Sequence, residues 1–359
     1  MGKRIGASTR DLIITNLVAI VAGLVLSGFL LLFLDINPIQ VYSSAIKTLF
    51  TDRYMAAEVF LKATPFIFTA LAFAFTYKAN LFNIGAQGQF YLGSVAAVSV
   101  SLLLDGKIPT AILLVVVFAA TLLAGGLMGA GIGFLKARYN ANEFLTSMMS
   151  TYVALAFMNY LLRTVLKETK GEYPQTDALS EAAWIPRIVP GTRLHLGFVI
   201  AVITAILIWV FLYKTPLGFR IRAIGSNARA GELAGINSRR IFVIAFLISG
   251  ALAGAAGFTE VNGVQRMLIQ DFNPDLGSAG IGIAILANAN PIGIIFASIL
   301  FGAISVIGTM MGRMPGINVP PSIVSIIQGS VMLFVIAAYY VRAMIGIRRD
   351  KKRLKREEA

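Results

Sequence analysis

Between Lys78 and Ser94 the chain reads KANLFNIGAQGQFYLGS. The amides of Asn80, Asn83, Gln87 and Gln89 stand there with Gly85 and Gly88, flanked by strongly apolar sequence. An amide offers both donors and an acceptor without charge, so such a set can hydrogen-bond an uncharged polar solute. Two further stretches carry similar groups. Asn140, Asn142, Glu143 and Thr146 precede Ser147, Ser150, Thr151 and Asn159, and GSAGIGIAILANANPIG, from Gly277 to Gly293, closes on Asn288, Asn290 and Pro291. Covalent chemistry has little to work with. There is no cysteine and a single histidine, His195, which reads as a residue at a membrane interface. No His, Cys or carboxylate constellation suggests catalysis, a metal or a cofactor. Gly2-Lys3 and Gly106-Lys107 are the only Gly-Lys pairs, and neither lies in a GxxxxGK[ST] phosphate loop.

The elements that must position these groups are membrane helices. Of 359 residues 57% are hydrophobic and 13% charged, with a mean hydropathy of +0.79, whereas soluble domains carry roughly 25% charged residues. Apolar runs of about 20 residues, the length a hydrocarbon core demands, recur along the chain. Spans are expected near 12–34, 59–76, 88–104, 110–135, 144–162, 196–213, 241–258, 276–288, 291–311 and 322–341: an all-α integral membrane protein of about ten helices in one polytopic domain, 1–359. The first run is too long for a signal peptide and lacks a small-x-small cleavage site.

With the N-terminus (1–11) cytoplasmic, the inner segments hold 20 Lys and Arg against 6 Asp and Glu, and the outer segments 11 against 11. Lys and Arg in short loops stay inside, which puts both termini in the cytoplasm. The basic tail 342–359 reads as a lipid and topology anchor rather than a nucleic-acid binder. Residues 163–194 form the longest external loop, long enough for a small cap.

Unpaired polar groups in lipid cost several kcal/mol each, so the amide-rich stretches belong where protein or water satisfies them. Gly125, Gly129 and Gly133, and Gly250, Gly254 and Gly257, read instead as close helix packing. Spans two to five begin outside and spans seven to ten inside, and each group holds a glycine-interrupted segment, 78–88 or 276–288. Inverted halves with paired broken helices point to a site where they meet. Glu143, Glu260 and Asp275 fall near span ends, which leaves few groups for ion coupling. The residues alone leave a secondary carrier or facilitator, or a membrane enzyme or scaffold, as rivals.

The largest inner loop, 214–240, contains TPLGFRIRAIGSNARAGELAGINSRR. Ser226-Asn227 as N-cap and Gly235 as C′ glycine predict a short helix over Ala228–Ala234, too short to stand in water without a partner.

NIGAQGQF, NEFLTSMM, this loop and NPIG resemble the permeases of bacterial ABC importers in the branched-chain amino acid, ribose and nucleoside group, across roughly Glu58 to Tyr340. ATPFIFTALAFAFTYKANLFNIGAQGQF is most similar to the nucleoside type. The resemblance implies an importer subunit, not an enzyme, in the bacterial cell membrane. It implies as partners a cytoplasmic ABC ATPase, a second permease (a homo- or heterodimer, heterodimer favoured) and an external substrate-binding lipoprotein. A nucleoside is the implied solute, with a sugar such as ribose as the alternative. The resemblance also assigns Arg222, Asn227, Arg229, Ala230, Gly231, Glu232, Gly235 and Ile236 to ATPase coupling. The EAAxxxG pattern of importers falls on Arg229, Ala230, Gly231 and Gly235, with Arg in place of Glu and Gly in place of the second Ala. The family's NIGxEGQ glutamate is replaced by Gln87. Candidate pathway residues are Asn83, Gln87, Gln89, Asn142, Thr146 and Asn288, with Phe82, Phe90 and Tyr91 for stacking.

Overall fold

The computed structural model describes residues 9–33, 37–169, 171, 173–311, 326–334, 337–338 and 344. Among the described residues the regular elements are helical, and β structure is limited to two isolated bridges, Gln175 with Ile269 and Arg187 with His195. The described residues divide into two compact units, one within 53–303 and the other within 1–52 and 304–359.

In the smaller unit α1 (Thr9–Leu32) occupies the expected first span. Helix α2 (Pro38–Thr51) was not foreseen. Pro38 opens it, and the Asn37 side chain accepts from the Ile39 and Gln40 N–H groups, a sound N-terminus. Its 14 residues rise only about 21 Å, short of a bilayer core of roughly 30 Å. Most of the expected span 322–341, and the tail 342–359, fall outside the described residues.

Seven helices among the described residues are long and apolar enough to cross a membrane. They are α3 (Arg53–Tyr77), α4 (Ala86–Leu104), α5 (Thr110–Tyr139), α6 (Glu143–Arg163), α7 (Gly197–Lys214), α10 (Ser238–Glu260, prolonged by a π turn at Val261–Gln265) and α12 (Pro291–Met311). Three short helices, α8 (Pro216–Ser226), α9 (Ala228–Leu233) and α11 (Leu276–Leu286), complete the larger unit. The protein is an all-α, multi-pass membrane protein.

Helix α3 is almost wholly buried, wrapped by α10, α11 and α7. The tightest packing joins α5 to α10. A methyl added at Gly250 would fall 2.1 Å from the Gly125 carbonyl oxygen, and one at Gly129 would fall 2.1 Å from that of Phe246. Gly93 of α4 meets the Gly254 backbone in the same way. The four-residue glycine spacing thus serves helix contact, as read from the sequence.

Between α6 and α7, described residues of the segment 164–196 pair with the turn that follows α10. The Leu179 N–H donates to the Arg266 carbonyl at 2.7 Å and the Thr176 N–H to that of Leu268 at 2.9 Å. The Arg266 guanidinium lies 3.6 Å from the Trp184 ring centre. Asn262, in the π turn, donates to Ser101 and to the Ala183 carbonyl, both at 2.9 Å. His195 is enclosed by protein, being 1% exposed. Its Nδ1 accepts from the Gly197 N–H at 3.1 Å, and burial lowers its pKa to about 4.

Candidate functional site

After α3 the chain turns through residues 78–85 and enters α4 at Ala86. Asn80, with φ of 58°, makes the turn in the left-handed region. Asn83, fully buried, spends its polar groups on the fold. Its Nδ2 donates to Gln89 Oε1 and Ser249 Oγ, both at 2.8 Å, and its Oδ1 accepts from the Gly85 N–H at 3.0 Å. Ser249 passes the chain on to the Ala72 carbonyl at 2.6 Å, while Ser147 Oγ accepts from the Ile84 N–H at 3.2 Å. Four helices, α3, α4, α6 and α10, therefore hold this one turn. Gln89 is also fully buried, and its Nε2 has no hydrogen-bond partner.

Gln87 reaches in another direction. Its Oε1 accepts from the Gly277 N–H at 2.5 Å and its Nε2 donates to the Asn273 carbonyl at 2.9 Å. The Asn273 side chain donates in turn to the Glu260 carboxylate at 2.7 Å. Gly277 lies in the first turn of α11, where backbone N–H groups have no helical acceptor, and Gln87 lies in the first turn of α4. One amide thus joins the starts of the two broken segments. The other end of α11 closes beside Lys78, whose Nζ donates to the Asn288 carbonyl at 3.3 Å. Helix α11 therefore runs from the level of Gln87 to the level of Lys78, and residues 266–275 descend along α4 to meet it.

The remaining candidates divide. Phe90 and Tyr91 are buried against Phe272, with ring centres at 5.0 and 6.1 Å, while Phe82, 41% exposed, lies edge-on to Phe73 and Tyr77. Asn142 caps α6, accepting from the Phe144 and Leu145 N–H groups, and Thr146 Oγ donates to its carbonyl. Asn288 and Ala289, both with positive φ, end α11, and Asn290 with Pro291 starts α12. The structure brings Asn83 and Gln89 together and sets Gln87 beside them on the same helix turn. Asn142, Thr146 and Asn288 stand apart in exposed or half-exposed positions.

The loop 214–240 folds as α8 and α9. Asn227 caps α9, its side chain accepting from the Ala230 N–H at 3.1 Å, and Gly235 follows with φ of 81°. Arg222 points back: Nε donates to the Leu212 carbonyl at 2.9 Å and the guanidinium stacks on Tyr213 at 5.0 Å. Arg229 and Ala230 project outward, and Glu232, also exposed, accepts from the Ser238 hydroxyl. Gly231 is buried against α8, where a methyl would fall 2.7 Å from Ile224 Cδ1, the mobile end of that side chain. Ile236 donates its N–H to the Gly231 carbonyl at 3.0 Å.

The family of permease components of branched-chain amino acid transport systems matches residues 55–336. The chain belongs to this permease family. Among its relatives, the guanosine ABC transporter permease protein NupP of Bacillus subtilis is 32% identical over 93% of this chain and 96% of its own. The nucleoside ABC transporter permease protein NupB of Lactococcus lactis is 30% identical over 93% of each chain. The glucose ABC transporter permease protein TsgB13 of Haloferax volcanii is 32% identical over 94% of this chain and 91% of its own. No solved structure matches.

The permease is a transport subunit of an ABC importer. The sequence does not announce Ser249 and Asn273 at the junction, or the apolar Leu233 on α9, which is 88% exposed. A bulky apolar side chain on the outer face of a polar loop was the available signal for Leu233. Nothing local marks Ser249 or Asn273, because their partners lie 166 and 186 residues away.

Proposed function

We propose that this permease carries nucleosides inward, powered by a separate ATPase. It forms with a second permease a route that opens where α4 and α11 start. The observation that carries this reading is the Gln87 junction, where uncharged amides join two interrupted helices, the arrangement that transporters use for midplane sites. The guanosine and nucleoside permeases among the relatives support the solute class. In this reading the chain crosses the bacterial cell membrane about ten times, with inverted halves and both termini inside, as the charge asymmetry favours.

The α8–α9 loop is the seat of the ATPase. A six-residue helix cannot persist in water unsupported, and Arg229, Ala230 and Leu233 face outward from it. Closing of the ATPase against α9 would drive the switch between outward and inward states, since only differential contacts shift such an equilibrium. An external binding lipoprotein meets the cap, whose backbone pairs with residues 266–268 just before the Asn273–Gln87 contact. Asn83 and Gln89 position the turn, while Gln87 and the exposed Asn142, Thr146, Asn288 and Phe82 meet the solute when the route opens.

The test is uptake of labelled guanosine into proteoliposomes holding the purified complex, with ATP supplied to the ATPase side. Saturable, ATP-dependent uptake competed by other nucleosides is the expected result. Uptake driven by a gradient alone would establish a secondary carrier instead. The glucose relative favours a second reading, a sugar permease, and competition by glucose or ribose but not by nucleosides would select it.

A further inference from the structure

At the ends of α5 and α10 nearest the α8–α9 loop lies a groove of about 380 Å³ lined by Phe134, Ala137, Arg138, Arg239, Arg240, Val243 and Ile244. Arg138, Arg239 and Arg240 are all exposed, and among the described residues none of them makes an ion pair or a side-chain hydrogen bond. They converge over an apolar floor, and Phe134 within it is 53% exposed. Lys136 nearby is already taken, paired with Glu143 at 2.9 Å.

We infer that this groove is a binding site for an anionic phospholipid, with the three guanidiniums on the headgroup phosphate and the acyl chains along Phe134, Val243 and Ile244. Its two levels carry the argument. The arginines sit at the rim, where α5 ends and α10 begins. Val243 lies three to four residues further into α10 than Arg240 and Arg239, and Phe134 four residues further into α5 than Arg138, about 5–6 Å deeper at 1.5 Å per residue. An occupant must be anionic above and apolar below. A soluble ATPase surface meets the rim but has no reason to reach a floor sunk into the spanning region. A phospholipid has both parts in that order, and guanidinium forks match phosphate oxygens. Basic pockets between membrane helices on the cytoplasmic side hold anionic headgroups in this way. The walls are rigid as well, because a methyl at Gly133 would fall 2.8 Å from Val243 Cα, so the two helices already touch at the groove.

The purified transporter complex, delipidated and titrated with dioleoylphosphatidylglycerol or dioleoylphosphatidylcholine, tests this by native mass spectrometry. The complex should retain one phosphatidylglycerol with at least about tenfold preference over phosphatidylcholine. The triple variant Arg138→Gln, Arg239→Gln, Arg240→Gln should lose that preference, and Arg220→Gln, an exposed arginine on α8, should keep it. If the triple variant does not assemble, the single variants should each weaken the preference. Absence of preference in the wild type, or its persistence in the variants, overturns the proposal. So does competition by glycerol phosphate as effective as by the lipid, which would mark an anion site without acyl recognition. Unchanged lipid retention with loss of ATPase copurification would assign the rim to the ATPase. None of these outcomes depends on which solute is carried.

Discussion

Replacing Gln87 by leucine should weaken the fold as well as transport. The side chain is 8% exposed and satisfies one buried and one part-buried backbone group, the Gly277 N–H at 2.5 Å and the Asn273 carbonyl at 2.9 Å. Leucine is of similar size and satisfies neither. Each orphaned group costs about 1–3 kcal/mol, so Gln87→Leu should destabilise by about 2–5 kcal/mol after some return from its apolar burial. Gln87→Glu discriminates further. A carboxylate still accepts from Gly277, in the first turn of α11 where negative charge is favoured, but it sets an oxygen against the Asn273 carbonyl. Its cost should be roughly half that of leucine. Thermal melting of the purified complex in detergent, alongside ATP-dependent uptake, measures both. The expected order of stability is wild type, then Glu, then Leu, with uptake falling in the same order. A leucine variant that melts like the wild type but fails to transport would refute this account and show a side chain that only lines the route.

Other expectations follow from the same geometry. Gly250→Ala should abolish assembly, because its methyl would lie 2.1 Å from the Gly125 carbonyl oxygen, whereas Gly131→Ala, with no atom within 4 Å, should express normally. Asn227→Ala removes the α9 cap, at about 1 kcal/mol, and should lower solute-stimulated ATP hydrolysis more than it lowers melting of the permease. His195 ordinarily titrates near 6.5 and here near 4. Between those values the unfolded chain binds a proton that the folded chain refuses, so stability is full above pH 6.5 and falls with acidification, by about 3 kcal/mol at pH 4. Melting followed from pH 7 to pH 4 should show this, and His195→Asn, which can still accept from Gly197, should flatten the curve.

Much of the scaffold could be read from the sequence because bilayer thickness constrains it. Hydropathy located α3 to α7, α10 and α12 to within a few residues. It erred mainly at ends where polar residues continue a helix, such as Ser238 to Arg240 in α10 and Lys136 to Tyr139 in α5. The cap of α9 was legible because Asn227 and Gly235 act on neighbours. Helix α2 was missed since Gln40, Ser43, Ser44 and Lys47 break the apolar run. The junction was legible only in part. The amide composition of residues 80–89 announced that something there must be satisfied, but not by what. Asn83 is satisfied by Gln89 Oε1, Ser249 and the Gly85 N–H, while Gln89 keeps an unpartnered Nε2, and Gln87 is satisfied by a backbone 190 residues distant. Nothing local announces the place of residues 266–275 beside α4, where Phe272 packs on Phe90 and Tyr91.

The glycine contacts of α5 and α10 set a limit on how such a subunit can move. Where two backbones touch, neither rod can slide or roll without lifting away from its neighbour along several turns at once. Together with α4, they form a beam that transmits displacement but does not bend. Flexure is left to places fastened by single side chains, the start of α11 at Gln87 foremost, where the proposed push at α9 would emerge as motion.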